Sequence, residues 1–88
     1  MDVIYLDNAA TTPILPDVVD AMHQTLNTCY GNPSSVHAAG RSAKVKVESA
    51  RKYIAKQLGV LPQEIIFTSG GTEGDNTIFQ CAVDHLGV

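Results

Sequence analysis

Residues 65–73 read Ile65-Ile66-Phe67-Thr68-Ser69-Gly70-Gly71-Thr72-Glu73, an apolar run that changes within two residues into hydroxyls and glycines. This order predicts a strand, a tight turn and the N-terminus of a helix. The first turn of a helix carries free backbone N–H groups and the positive end of the helix dipole, so it suits an anion such as phosphate. Gly70 and Gly71 permit close approach of a ligand and a positive φ, and Ser69 and Thr72 offer hydroxyl donors.

The same turn has a simpler interpretation. It matches neither the Walker A spacing nor the G-x-G-x-x-G spacing of dinucleotide-binding turns. A helix capped by Thr72, with Asp75 three residues later as a shorter relative of the capping box, needs no ligand. The local chemistry alone favours this second interpretation, because most turns between a strand and a helix bind no phosphate.

The periodicity of the remaining chain is mainly helical. Helices are predicted over residues 16–28, from an Asn32 N-cap to about Leu58, and from Thr72 to a stop at Gly87. The second helix is expected to end at Gly59 and to bury a face made of Ala39, Ala43, Val47, Ala50, Ile54 and Leu58.

One or two strands complete this prediction. One strand is predicted over residues 64–68, and residues 3–6 form a short apolar run that could pair with it. A lone strand has no partner for its backbone groups, and a lone pair of strands is marginal in water. The sequence therefore predicts a portion of a larger α/β structure that is incomplete as a domain.

Composition and charge narrow the function classes. The 88 residues are 44% hydrophobic and 17% charged, and the net charge of −3 argues against a nucleic-acid or anionic-membrane partner. The N-terminus has no basic start and no long apolar core, so no secretory signal is expected. Two lone cysteines with no metal-ligand spacing indicate reduced thiols, and the predicted location is cytoplasmic.

Three blocks of sequence lie in one characteristic order. They are Tyr5-Leu6-Asp7-Asn8-Ala9-Ala10-Thr11-Thr12-Pro13, then Tyr30-Gly31-Asn32-Pro33-Ser34-Ser35 with His37 and Gly40-Arg41, then Glu64 to Glu73 with Asp75-Asn76. Together they resemble the pyridoxal-phosphate-dependent cysteine desulfurases of the class V aminotransferase family, in the branch of NifS-like and IscS-like proteins. The similarity covers nearly all of the chain.

The resemblance implies the N-terminal fragment of a fold-type I pyridoxal-phosphate-dependent transferase. Residues 1–15 would form an arm and loop, residues 16–62 a helical segment of the small domain with its connection, and residues 63–88 the start of the cofactor-binding large domain. The glycine turn would then bind the phosphate of pyridoxal 5'-phosphate. In that arrangement Gly71 and Thr72 donate backbone N–H groups, the Thr72 hydroxyl adds a bond, and Gly70 is a further candidate.

The resemblance also carries expectations for the substrate and the partners. Asn8 and Ala9 belong to an opening motif that lies near the family's active site, so a substrate contact and a purely structural turn are both open. The family removes sulfur from L-cysteine, giving L-alanine and an enzyme persulfide for iron–sulfur cluster or thio-cofactor synthesis. A homodimer and a sulfur-acceptor or Fe–S scaffold protein are the partners it implies.

The residues that perform this chemistry lie outside the matched segment. The family needs a lysine that forms a Schiff base with the cofactor and a cysteine nucleophile on a mobile loop. No catalytic residue and no metal ligand is assigned here, and the chain alone is expected to be inactive. Two alternatives stay open: a non-enzymatic interaction module, or another class V enzyme such as a selenocysteine lyase or an aminotransferase. The residues set aside as surface lysines or as thiols that are not the nucleophile are Lys44, Lys46, Lys52, Lys56, Cys29 and Cys81.

Overall fold

Helices dominate the computed structural model, which describes residues 2–87. The chain divides into two compact units, the first ending at Glu48 and the second beginning at Ser49. The predicted mainly helical character is confirmed. In chain order the elements are α1 (Pro16–Thr28), α2 (Ala38–Leu58), a 3₁₀ turn (Pro62–Glu64), α3 (Gly71–Cys81) and a π-helical turn (Ala82–Leu86).

The predicted strands are wrong for this chain, since residues 2–87 contain no strand. Glu64 closes the 3₁₀ turn, where its Oε2 accepts a 2.6 Å hydrogen bond from the Leu61 amide. Ile65 does adopt extended backbone, with φ −96° and ψ 122°. A strand also requires a neighbour that completes its ladder of hydrogen bonds. Ile65 is therefore extended without belonging to a sheet.

Helix α1 begins and ends where the sequence predicts. Pro16 occupies the first helical turn, where its missing N–H costs nothing, and Asp17 lies near the positive end of the helix. At the other end the Cys29 amide donates to the Thr25 carbonyl at 2.8 Å. None of its residues is buried.

Helix α2 begins at Ala38, five residues later than the first helical position predicted at Pro33. The Asn32 side chain accepts the Ser34 amide at 2.9 Å and so closes a local turn rather than capping the helix. The cap comes from His37, whose Nδ1 accepts the Gly40 amide at 3.3 Å. This hydrogen bond gives His37 a structural role.

Two glycines allow the loop before α2 to lie against the helix. A Cβ at Gly31 would stand 2.3 Å from the Ala39 carbonyl oxygen, and a Cβ at Gly40 would stand 2.5 Å from the Ser35 carbonyl oxygen. No side chain fits at either distance. The backbone of residues 31–35 and the start of α2 therefore pack closely within the first unit.

The predicted buried face of α2 is only partly correct. Ala43 is buried at 6% exposure, whereas Leu58 is 66% exposed. Ala55, which the periodicity did not select, is the most buried apolar side chain at 1%. The predicted helix end is confirmed, because Gly59 has φ +69° and its conformation is the left-handed one that stops helices. Within residues 2–87 no helix combines the length and the apolar character that crossing a membrane requires.

Candidate functional site

The glycine turn lies in the second unit and leads into α3. Gly70 is the N-cap residue and Gly71 the first residue of the helix, with no side-chain hydrogen bond at the cap. The predicted Thr72 cap is therefore wrong, because Thr72 is the second residue of the helix. The expected positive φ is also not used: Gly70 has φ 164°, which is extended backbone that any residue can adopt.

The backbone amides of Gly71 and Thr72 are open donors. The first helical hydrogen bond runs from the Gly74 amide to the Gly70 carbonyl at 3.0 Å. The amides before it have no intrahelical acceptor. Among the described residues no other acceptor is bonded to the amides of Gly71 and Thr72, and both residues are exposed.

Ser69 makes a local clamp with Glu73 that the sequence analysis missed. The Glu73 carboxylate accepts the Ser69 hydroxyl at 2.5 Å and the Ser69 amide at 2.8 Å. The hydroxyl bond first, and then the amide bond, hold the pKa of Glu73 below its ordinary value of 4.5. The predicted hydroxyl donor of Ser69 thus points to a carboxylate in the first turn of α3. The available signal was a serine four residues before a glutamate, one residue longer than the capping-box spacing.

The surroundings of the turn are open and polar. A Cβ at Gly70 or Gly71 would meet no atom within 4 Å, so a ligand can approach the backbone directly. A concave surface along one side of α3 begins at this turn and encloses a volume of about 620 Å³. The residues that line it are Ser69, Thr72, Glu73, Asn76, Thr77, Gln80 and Cys81. The Thr72 hydroxyl has no partner among the described residues, whereas Thr77 Oγ1 donates to the Glu73 carbonyl at 2.8 Å.

Asn8 and Ala9 belong to the first unit and form part of a tight turn. The amides of Ala10 and Thr11 both donate to the Asp7 carbonyl, at 3.1 and 3.3 Å. Both Asn8 and Ala9 are exposed at the top of this turn. The geometry is compatible with either of the roles left open by the sequence, a substrate contact or a structural turn.

No other side chain in the described range has the setting of a catalytic group. All four lysines of α2 are exposed, as surface charges are, and a Schiff-base lysine needs a desolvated pocket. Cys29 is half-buried and Cys81 is exposed. His, Cys, Asp and Glu side chains within residues 2–87 form no group of three that could hold a metal ion.

Comparison with known proteins identifies the family. The model of the family described as Aminotransferase class-V matches residues 4–87. The chain is 54% identical over 72 residues to an IscS-like cysteine desulfurase of Mycobacterium tuberculosis, a match that covers 82% of this chain and 18% of that protein. It is 51% identical over 83 residues to a cysteine desulfurase of Nostoc sp., covering 94% of this chain and 21% of the relative.

A second class of relative is equally similar. The chain is 48% identical over 83 residues to a selenocysteine lyase of Bos taurus, covering 94% of this chain and 19% of that protein. The chain therefore spans about a fifth of the length of these relatives. The families concerned depend on pyridoxal phosphate. Because the family model matches almost every residue, the chain belongs to the class V aminotransferase family, and the predicted family membership is confirmed.

Proposed function

We propose that this chain is the N-terminal part of a cysteine desulfurase and supplies the phosphate-binding corner of its pyridoxal phosphate site. The observation that carries the proposal is the pair of exposed, unbonded amides of Gly71 and Thr72 at the start of α3. Free N–H groups at the positive end of a helix form the kind of site that binds phosphate.

The residues present fit a phosphate group. The open space above Gly70 and Gly71 lets phosphoryl oxygens reach the amides, and the Thr72 hydroxyl can add a third donor. The nearby Glu73 carboxylate is negative, which opposes an anion. Its Oε2 already accepts two hydrogen bonds from Ser69, so its charge is partly compensated. The balance of donors over acceptors at the turn favours anion binding.

The chemistry divides between the cofactor and residues outside this chain. Pyridoxal phosphate, when bound, supplies the electron sink that this class of reaction requires. The role of Gly71 and Thr72, with Gly70 as a further candidate, is to hold the phosphate and so fix where the rest of the cofactor lies. The exposed lysines of α2 support the view that the Schiff-base lysine is supplied by another part of a longer polypeptide.

The same proposal assigns the parts of the chain. Residues 1–15 form an arm and loop, residues 16–62 belong to the small domain and its connection, and residues 63–88 begin an α/β large domain. Asn8 and Ala9 lie near the substrate, L-cysteine, which the similarity to cysteine desulfurases supports. A cytoplasmic homodimer that passes sulfur to an acceptor or Fe–S scaffold protein completes the proposal.

A second candidate is a selenocysteine lyase, supported by the 48% identity to the Bos taurus protein. Both activities use the same phosphate site and differ in the chalcogen that leaves the substrate. Supplying L-cysteine and L-selenocysteine in separate assays of a full-length protein that contains this chain distinguishes them, since one yields sulfide or persulfide and the other selenide. Activity on selenocysteine alone would favour the second candidate.

A chimera tests the proposed function. In it, the segment of the Nostoc cysteine desulfurase that matches this chain is replaced by this chain, which is 51% identical to it over 83 residues. The chimera is expected to retain pyridoxal phosphate after dialysis and to release L-alanine from L-cysteine. A folded chimera that neither holds the cofactor nor forms alanine would contradict the proposal and favour the interaction module.

The chain by itself provides the matching control. Incubated with L-cysteine and pyridoxal phosphate, the 88-residue chain is expected to give no more alanine or sulfide than a blank without protein. Catalytic turnover by the chain alone would show that the missing lysine and thiol are not required, and would overturn the division of roles described above.

A further inference from the structure

Arg51 contacts the segment that leads into the glycine turn at two points. It lies on α2 in the second unit and is half-buried. Its Nη1 donates a hydrogen bond to the Ile65 carbonyl oxygen. Its guanidinium carbon lies 4.8 Å from the centroid of the Phe67 ring, within the range of a cation–π contact.

These two contacts fit the extended backbone of Ile65. Side chains alternate along an extended chain, so continued extension places Ile65 and Phe67 on one side and Ile66 on the other. The exposures agree: Ile65 is half-buried, Phe67 is 46% exposed and Ile66 is 69% exposed. A bond to one carbonyl and a contact with the ring two residues later fix both the position of the segment and its rotation about its own axis.

We propose that Arg51 is a positioning residue for the phosphate-binding turn. Arg51 holds the chain up to Phe67, and Glu73 holds Ser69 by two hydrogen bonds. The turn at Gly70 and Gly71 follows directly and is thereby held on both sides. The guanidinium of Arg51 provides a planar donor that satisfies a backbone carbonyl and stacks on a ring, which an ammonium group does less well.

This inference rests on the proposed function, because the turn it positions is the proposed phosphate site. Its physical content can be tested apart from that function. If Arg51 sets the geometry of the turn, removing the guanidinium changes the amides of the turn more than those of the helices. If Arg51 only stabilises the second unit, all amides of that unit change together.

The first experiment uses amide chemical shifts of the 88-residue chain. Arg51→Met keeps most of the aliphatic stem and removes the donor. It is expected to shift the amides of Gly70, Gly71 and Thr72 while the amides at the far end of α3, residues 78–81 of the same unit, stay unchanged. Arg51→Lys is expected to restore part of the shift, and Lys52→Met, which removes an exposed charge from the next position, is expected to change nothing at the turn.

The second experiment uses the chimera. Arg51→Met is expected to weaken pyridoxal phosphate binding by up to about tenfold, because the turn amides are no longer held in place before the phosphate binds. Unaltered turn amides in Arg51→Met, or a uniform change across the whole second unit, would overturn the proposal.

An Arg51→Met variant that does not fold and a chimera that binds no cofactor are also informative. If Arg51→Met does not fold, Phe67→Leu removes only the ring contact and is expected to give a smaller shift of the same turn amides; no shift there would overturn the proposal. If the unmodified chimera binds no pyridoxal phosphate, the proposed function fails, while the shifts in the 88-residue chain still decide whether Arg51 positions the turn.

Discussion

Replacing Thr72 by valine separates a ligand-binding role from a helix-capping role. Valine keeps the β-branched shape of threonine and removes only the hydroxyl. The hydroxyl has no partner among the described residues, and Thr72 is exposed at the second position of α3. The substitution therefore breaks no hydrogen bond of the chain itself, and its effect on binding reports on the phosphate alone.

The ligand-binding role predicts a loss of cofactor affinity in the Thr72→Val variant, whereas the capping role predicts a loss of helix stability. A hydrogen bond from the hydroxyl to a charged phosphate is worth about 1.5–3 kcal/mol, which weakens cofactor binding by about 10- to 150-fold when it is lost. Loss of an N-cap would instead destabilise the helix by about 1 kcal/mol. Since Gly70 occupies the cap position, we expect the first effect and a stability change within about 0.5 kcal/mol, as for surface substitutions in general.

The assay combines two measurements on matched variants. Equilibrium titration of the chimera with pyridoxal phosphate measures binding, and urea unfolding followed by circular dichroism measures stability of the 88-residue chain. Thr77→Val is the control, because its hydroxyl faces the same concave surface but bonds to the Glu73 carbonyl within the helix. A Thr72→Val chimera that binds cofactor as tightly as its parent, or a chain that loses about 1 kcal/mol of stability, would refute the reasoning.

Four further predictions concern stability and pH. Gly40→Ala is expected to lower the free energy of unfolding by about 1–3 kcal/mol in urea denaturation, because its Cβ would meet backbone oxygens at 2.5 and 2.6 Å. Gly74→Ala, whose nearest neighbour would be at 3.6 Å inside a helix, is expected to raise that free energy by about 0.5–1 kcal/mol. Gly59→Ala is expected to lower it by about 1–2 kcal/mol, because φ is +69° there and the surrounding space is open, so only the backbone conformation opposes the methyl group. The pKa of Glu73 lies below 4.5 in the folded chain, so its bonds to Ser69 are complete above that pH and are lost as the pH falls through the lower folded value. The protection of the Ser69 amide against exchange, taken relative to the intrinsic rate at each pH, should then fall in acid, and Glu73→Gln should remove this pH dependence; equal pH dependence of the protection in both proteins would contradict the assignment.

Local signals in the sequence predicted the helices well. The bounds of α1 follow from Pro16 and from the spacing of apolar residues, and the end of α2 follows from Gly59, whose left-handed backbone is a local property. The start of α2 was missed because Asn32 has the chemistry of a cap but closes a turn with Ser34 instead. That choice depends on how closely the loop packs against the helix.

Features that need distant partners could not be predicted from local signals. The segment 65–68 has the composition of a strand and is extended at Ile65, but residues 2–87 offer no strand beside it. The contact between Arg51 and Ile65 joins residues 14 positions apart, which no helical or strand period connects. The open amides of the glycine turn were predictable because every helix start leaves such donors. The engagement of Ser69 by Glu73 depends on side-chain conformations, and so the sequence did not reveal it.

The most direct test of the proposed phosphate site is a crystal structure of the chimera with pyridoxal phosphate bound. We predict phosphate oxygens at about 2.7–3.2 Å from the amide nitrogens of Gly71 and Thr72, with the Thr72 hydroxyl as a further donor. A phosphate bound elsewhere, with these two amides bonded to protein carbonyls or to water alone, would contradict it.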